Sequence, residues 1–461
     1  MGAGAFIEPL VVVSLLFGGT WVNRNSEYRL FASSRHDRHA NRATSPSHDR
    51  SDSPDSIESA LESPTAVDGL LPRRFPSPTP QEGRWRKREF QLFGFRRSVT
   101  SPNTRVFKDR FLSRLLNKFP FLVEAWYWAL IYWVYQLGRA FTAVTLVEGT
   151  VHVARKHALQ LIHLEQKLHI FHELAVQHFF LKHPTALTWI NRIYSFIHIP
   201  GTILFLVWLY YFTTTRNRLD ERQSGKNYGE IEGSPAGPRL YEARRRTMAV
   251  CNLIAFVVFT IWPCMPPRLL SDPDVKGPTG DEARKYGFVD TVHGADGAGS
   301  VWTQNRFCNQ YAAMPSLHFG YSLLIGLTIL MVPLPPHHAR PIIIRSPWPF
   351  LRLRLLSLRR VACIVVGILY PFTILVAIVA TANHFILDAV AGAMVCWLAW
   401  KGNRILLNLL WLEDWFLWCV RIHKPEIGVV DWLEGLGSRG SVDSARSSGS
   451  EDRVWKGKAV V

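Results

Sequence analysis

Long apolar runs alternate with shorter polar stretches along most of this chain. The first run, residues 4–22, is broken only by Glu8 and Pro9. Its first cation is Arg24, so it lacks the basic leader of a cleaved signal peptide and reads as an uncleaved anchor helix over 1–23. Six further runs follow, near 120–146, 188–212, 247–264, 314–333, 361–382 and 384–400. Each approaches the ~20 residues that a helix needs to cross the hydrocarbon core. Val361–Thr381 and Ile193–Thr215 contain no charged residue at all. The last run is short and carries Asp388, and a carboxylate at that depth is costly enough to signal function. The pattern predicts an all-α, polytopic membrane protein, with the anchor helix preceding a six-helix transmembrane core over 115–402.

Two regions break the pattern. Residues 24–110 are rich in Ser, Pro, Arg, His and Asp without apolar period, which predicts a disordered basic segment. Its RWRKR run, Arg84–Arg88, reads as a solvated tail or a contact to anionic headgroups. Residues 404–420 are Trp-rich with Glu413 and Asp414 in the middle, which predicts an interfacial helix. The remainder of 403–461 reads as a disordered tail.

Composition supports a membrane class. Of 461 residues, 48% are hydrophobic and only 19% charged, and mean hydropathy is near neutral at +0.04 because the polar tails dilute it. The net charge is +17. Segment 23–119 holds 19 Lys+Arg against 11 acids, 213–246 holds 8 against 5, and 334–360 holds 6 against none. Segments 147–187 and 265–313 hold only 4 and 5 cations. Basic and cation-poor loops therefore alternate, as six crossings require, which assigns the basic loops to the cytosol. The whole excess is a sidedness pattern and no recognition motif accompanies it, so nucleic-acid binding is not expected. The six Cys show no CxxC spacing, which argues against a disulfide scaffold or zinc ribbon.

Three constellations fall at run ends on the predicted non-cytosolic face: Pro263-Cys-Met-Pro-Pro-Arg268, Asn309-Gln-Tyr-Ala-Ala-Met-Pro-Ser-Leu-His318, and Thr381-Ala-Asn-His-Phe-Ile-Leu-Asp388. His384 and Asp388, at i and i+4, share a helix face, where a carboxylate can orient an imidazole and raise its basicity. His318 is a second imidazole suited to general acid work. Arg268, the Ser316 hydroxyl and the N–H groups opening the helix after Pro315 can hold a phosphate.

The ordered blocks Pro-Pro-Arg268, Met-Pro-Ser-Leu-His318 and His384-x-x-x-Asp388 resemble the type 2 phosphatidic acid phosphatase superfamily, within its inositol phosphorylceramide synthase-like branch. The resemblance covers roughly residues 120–400. It implies a six-helix phosphatase-like membrane core and a metal-independent phosphotransferase, needing no cofactor and acting on membrane lipids such as a phospholipid, ceramide or lipid phosphate. His384 becomes the nucleophile that forms a phosphohistidine, Asp388 orients it, His318 protonates the leaving oxygen, and Ser316 and Arg268 bind phosphoryl oxygens. Where the superfamily usually carries further cations or a proline, this chain has Ile261, Leu269 and Ile378. Arg306 and Asn383 are candidates to compensate, and Asn309 and His198 are further candidates for the substrate pocket. Glu165, Glu173, Asn191 and Tyr194 resemble positions of the same family that shape the headgroup pocket. Inositolphosphotransferase activity in sphingolipid metabolism is the implied function, in an endomembrane of the Golgi or ER with a lumenal site. Hydrolysis of a lipid phosphate or diphosphate is the alternative, and a non-catalytic lipid-binding protein a third reading. Eight His lie between 152 and 198, but no pair has HxxxH or HxxHH spacing, so no metal site is expected there.

Overall fold

The computed structural model describes residues 4–30, 83–145, 149–218, 233–291, 311–345 and 352–425, apart from 27, 93, 274 and 276. The expected disorder of 31–82 and of the tail beyond 425 lies outside these residues, as do Arg306 and Asn309.

The described chain is mostly helical. Helix α1 spans Gly4–Val22, and a hairpin pairs β1 (Trp85–Leu92) with β2 (Phe95–Pro102). Then come α2 (Phe111–Lys118), α3 (Phe121–Thr145), α4 (Gly149–Lys167) and α5 (Glu173–Leu181). Helix α6 runs over Pro184–Arg218 through two π-turns, Ile193–Ile197 and Tyr211–Thr215. Helices α7 (Pro238–Ile261), α8 (Pro278–Arg284) and α9 (Leu317–Met331) precede a short hairpin of β3 (Ile342–Arg345) and β4 (Arg352–Leu355). Helices α10 (Leu358–Ala380), α11 (Ile386–Gly402) and α12 (Leu410–Cys419) complete the order.

All six apolar runs of the core lie on helices. Two of these, α6 and α10, are long and apolar enough to cross a membrane by length and composition. The others fall short for local reasons. The first half of α7 carries Arg239, Glu242 and Arg244–Arg246, and α11 holds 17 residues with Asp388 and Lys401 inside. Helix α9 is apolar but only 15 residues long.

Small residues let three helices touch backbone to backbone. A Cβ on Gly326 of α9 would lie 2.4 Å from the Gly367 carbonyl of α10, and one on Gly392 of α11 would lie 2.3 Å from the Ser316 carbonyl. Neither site has room for a methyl, a packing mode that brings helix axes close without large apolar side chains. It also fixes the start of α9 against the first turns of α11. A buried cluster including Phe121, Leu209, Tyr210, Tyr241, Cys251, Leu324 and Ala399 ties α3, α6, α7, α9 and α11 together.

The expectation of an all-α chain with a disordered 24–110 is corrected at β1 and β2. The strands pair in antiparallel register from Trp85↔Pro102 to Leu92↔Phe95. In β1, exposed Trp85, Lys87 and Glu89 alternate with half-buried Arg86, Arg88 and Phe90. The pattern has period two, but two of its four inward positions, Arg86 and Arg88, are cations, so hydropathy does not reveal it. Their partners lie far along the chain. Arg88 donates to both Asp414 oxygens at 2.8 and 2.9 Å, and Ser101 Oγ donates to Asp414 Oδ2 at 2.7 Å. Asn408 exchanges two 2.8 Å hydrogen bonds with the Gln91 backbone. The RWRKR run thus docks on the 403–419 region.

Burial tends to raise the Asp414 carboxyl, but hydrogen bonds from Arg88 and Ser101 outweigh it and hold Asp414 below the usual range. A carboxyl depressed in the folded state stabilises above its unfolded value and loses that contribution as pH falls through the folded one. Hairpin docking should therefore weaken below about pH 4. Asp414→Asn should weaken it at neutral pH by about 2 kcal/mol, read as faster amide exchange in β1 and β2. Unchanged exchange would remove Asp414 as the anchor.

Candidate active site

Backbone contacts between distant segments assemble the site. A strap at Cys264–Met265 forms a parallel bridge with Ala312: Cys264 N–H donates to the Tyr311 carbonyl at 2.8 Å, and Ala313 N–H to the Cys264 carbonyl at 3.1 Å. Met265 N–H donates to the Ala154 carbonyl of α4 at 3.1 Å, and Arg268 N–H to the Ala382 carbonyl at 2.9 Å. Ser316 N–H donates to the Asp388 carbonyl at 2.9 Å. The three constellations, separated by up to 120 residues, therefore meet at one end of the helices.

The turn that carries His384 is tight. After α10, Ala382 adopts φ +50°, and Asn383 and His384 both donate back to the Ile378 carbonyl at 3.0 and 3.2 Å. This is the left-handed helix-ending position that glycine normally takes, so alanine there holds some backbone strain. The chain then turns through Phe385 into α11.

His384 is buried, and its Nδ1 lies 2.7 Å from the Ala313 carbonyl oxygen. A carbonyl can only accept, so Nδ1 carries the hydrogen and Nε2 presents a lone pair. Asp388 is not the direct partner expected from i,i+4 spacing. Its Oδ2 stands 3.6 Å from His384 Nδ1 and instead accepts from Phe385 N–H at 2.9 Å. The carboxylate sits one turn into α11, where it caps the helix and lies close to the imidazole electrostatically.

His318, in the first turn of α9, has its ring centroid 5.8 Å from that of His384. It stacks on Tyr194 at 4.7 Å and meets His198 at 5.1 Å. His198 in turn has Nδ1 3.1 Å from the Tyr370 hydroxyl. Three imidazoles from α6, α9 and the α10–α11 turn thus form a row, aligned by aromatic contacts.

Ser316 is buried at the N-cap of α9, with Oγ accepting from Phe319 N–H at 3.4 Å. Arg268 Nε donates to Asn383 Oδ1 at 2.9 Å, and Nη1 to Asp290 Oδ2 at 2.8 Å. Asn383 Nδ2 donates to Thr381 Oγ1 at 2.8 Å. The guanidinium is therefore oriented by Asn383 and charge-paired with Asp290 of the 265–313 loop. A substrate phosphate arriving there competes with Asp290 for Nη1.

Sequence patterns give no sign of three of these features. The Ala313 carbonyl is a backbone atom of an ordinary residue, Asp290 lies in an irregular loop, and Tyr370 is one apolar-run tyrosine among several. Glu165 and Glu173, expected at the headgroup pocket, instead accept hydrogen bonds from the first turn of α11.

Residues 159–220, 236–344 and 348–401 match the family model described as the PAP2 superfamily, 225 of the 461 residues in all. The matched segments contain Arg268, Ser316, His318, His384 and Asp388. No curated protein and no solved structure matches the chain.

Proposed function

Because residues 159–220, 236–344 and 348–401 match the PAP2 superfamily, whose members are phosphatases and phosphotransferases, we propose that the chain is a member and an integral membrane lipid phosphotransferase working through a phosphohistidine on His384. The observation that carries this reading is the His384 imidazole. Its Nδ1–H is anchored on the Ala313 carbonyl at 2.7 Å and its Nε2 is left basic, beside a second imidazole at 5.8 Å.

In the first half-reaction the Nε2 lone pair of His384 attacks phosphorus. The P–O bond to the lipid leaving group breaks, and that oxygen takes a proton from His318 to leave as an alcohol. In the second, an acceptor hydroxyl attacks the phosphohistidine and gives its proton to His318, and the N–P bond returns its electrons to His384. Arg268 and Ser316 stabilise the equatorial oxygens, where charge neutralisation lowers most of the barrier. Asp388 offsets positive charge developing on the imidazole from 3.6 Å. Asn383 aligns Arg268, and His198 and Tyr194 hold His318. Arg306 and Asn309, outside the described residues, are candidates for the substrate pocket on sequence alone. The scheme uses only side chains of the chain and assigns no role to a metal.

The proposed chemistry is inositolphosphotransferase-like and belongs to sphingolipid metabolism. The six helices form the membrane core, the site faces the lumen of an endomembrane such as Golgi or ER, and the basic loops face the cytosol. The sequence blocks around His318 and His384, and the missing cations at Ile261 and Ile378, support transfer over simple hydrolysis. Transfer and hydrolysis share the first half-reaction and differ in whether an alcohol or water attacks the phosphohistidine. In detergent, a headgroup-labelled phospholipid with ceramide should give labelled product that requires the acceptor. Labelled headgroup phosphate released without acceptor dependence would replace the transferase reading by hydrolysis of the lipid.

A further inference from the structure

The first turn of α11 offers N–H groups that no helical carbonyl can reach. Three of these find carboxylates. Phe385 N–H donates to Asp388 Oδ2 at 2.9 Å, Ile386 N–H to Glu173 Oε1 at 2.8 Å, and Leu387 N–H to Glu165 Oε1 at 2.8 Å. All three acids are fully buried, and they come from α11, α5 and α4. A helix N-terminus is a ready seat for an external anion such as phosphate. Here the protein's own carboxylates take that seat, so substrate phosphate is left to Arg268 and Ser316.

The geometry also restricts the charge. Glu165 Oε2, Glu173 Oε2 and Asp388 Oδ1 are buried and receive no hydrogen bond. The Glu173 and Glu165 carboxyls are held side by side by the consecutive N–H groups of Ile386 and Leu387. Two carboxylates that close, away from water, do not both ionise, and one proton between them satisfies two orphaned oxygens. Burial, reinforced by contact with Glu173 and by the charge of Asp388, pushes Glu165 up to about 9. Glu165 thus keeps its proton at neutral pH.

Resting on the phosphohistidine reading above, we propose that Glu165 and Glu173 form a proton-sharing carboxyl pair that positions His384 by fixing the first turn of α11. Both are positioning residues. They act through the backbone at Ile386 and Leu387, two and three residues after His384 in the chain. A neutral amide can replace the protonated Glu165: Oε1 of a glutamine keeps the Leu387 N–H, and its Nε2 supplies the donor to Glu173.

The test compares wild type, Glu165→Gln, Glu165→Met and His384→Ala in the transfer assay, with kcat and KM measured separately. Methionine keeps the bulk but removes the acceptor. Glu165→Met should lose about 100-fold in kcat, the scale of a misplacement of about 1 Å, while KM stays within about 3-fold. Glu165→Gln should recover most of that loss, to within about 5-fold of wild type. A glutamine variant as slow as the methionine variant would overturn the proposal, because it would mean that an ionised carboxylate or a proton carrier is needed. A methionine variant as fast as wild type would overturn it too. If Glu165→Met does not fold, Glu165→Gln decides alone, with a near-wild-type kcat in support and a 100-fold loss against. His384→Ala separates the two levels: activity surviving there removes the phosphohistidine reading, whereas its loss together with failed rescue by glutamine removes only the carboxyl pair.

Discussion

His384→Ala should lower kcat by about 10,000-fold or more while the protein still folds and binds lipid. The side chain supplies the only bond to phosphorus in the proposed scheme, so truncation removes the reaction path and not merely one contact. Folding should tolerate the change. Among the described residues the imidazole hydrogen-bonds only the Ala313 carbonyl, and its neighbours Phe385 and Ala382 are packed independently in the cluster around Met265 and Phe288. The measurement is kcat at saturating donor, alongside size-exclusion behaviour in detergent. Turnover within about 10-fold of wild type would remove His384 as the nucleophile, because loss of a nucleophile costs far more.

His318→Ala should cost about 100- to 10,000-fold with a lipid donor, the range for removal of a general acid. The size of that loss should depend on the leaving group. An alkoxide leaves poorly without a proton, whereas an aryl oxide leaves as a stable anion. A phosphodiester with an aryl leaving group should therefore recover most of the rate of the first half-reaction in His318→Ala, read as the initial burst of aryl oxide, and none in His384→Ala. The contrast distinguishes the two imidazoles by role, which their similar surroundings do not. Equal losses on both substrates would mean that His318 holds the phosphoryl group or the pocket, through its contacts to Tyr194 and His198, and not the proton.

Much of this arrangement is legible in the sequence, for physical reasons. Apolar runs mark helices because a buried or lipid-facing helix has to be apolar over its whole length, and all six runs of the core lie on helices. Pro315, Ser316 and Asp388 are helix-start residues, so their motifs carry structural as well as chemical information. Convergence of Arg268, His318 and His384 follows from alternation of loops, without any contact being known. What is not legible depends on partners remote in sequence or on backbone atoms. Composition hides the β1–β2 hairpin because two inward positions of β1 are arginines, and Arg88 finds its partner in Asp414, more than 300 residues away. The i,i+4 rule places Asp388 beside His384 but cannot weigh it against the Ala313 carbonyl, which is closer at 2.7 against 3.6 Å. Glu165 and Glu173 read as pocket residues because acids near a site suggest ligands. Their hydrogen bonds to Leu387 and Ile386 make them part of the helix end instead. Crossing of the membrane by all six helices rests on the charge pattern, since only α6 and α10 pass on length and composition.

The central claim is a covalent bond between phosphorus and His384, and the direct measurement is to trap it. Wild-type protein in detergent, given headgroup-labelled phospholipid without acceptor and quenched with alkali, should carry label on the peptide containing His384. That label should be released by acid, as phosphohistidines are, and it should be absent from His384→Ala. Label found on another residue, or retained in His384→Ala, would contradict the account.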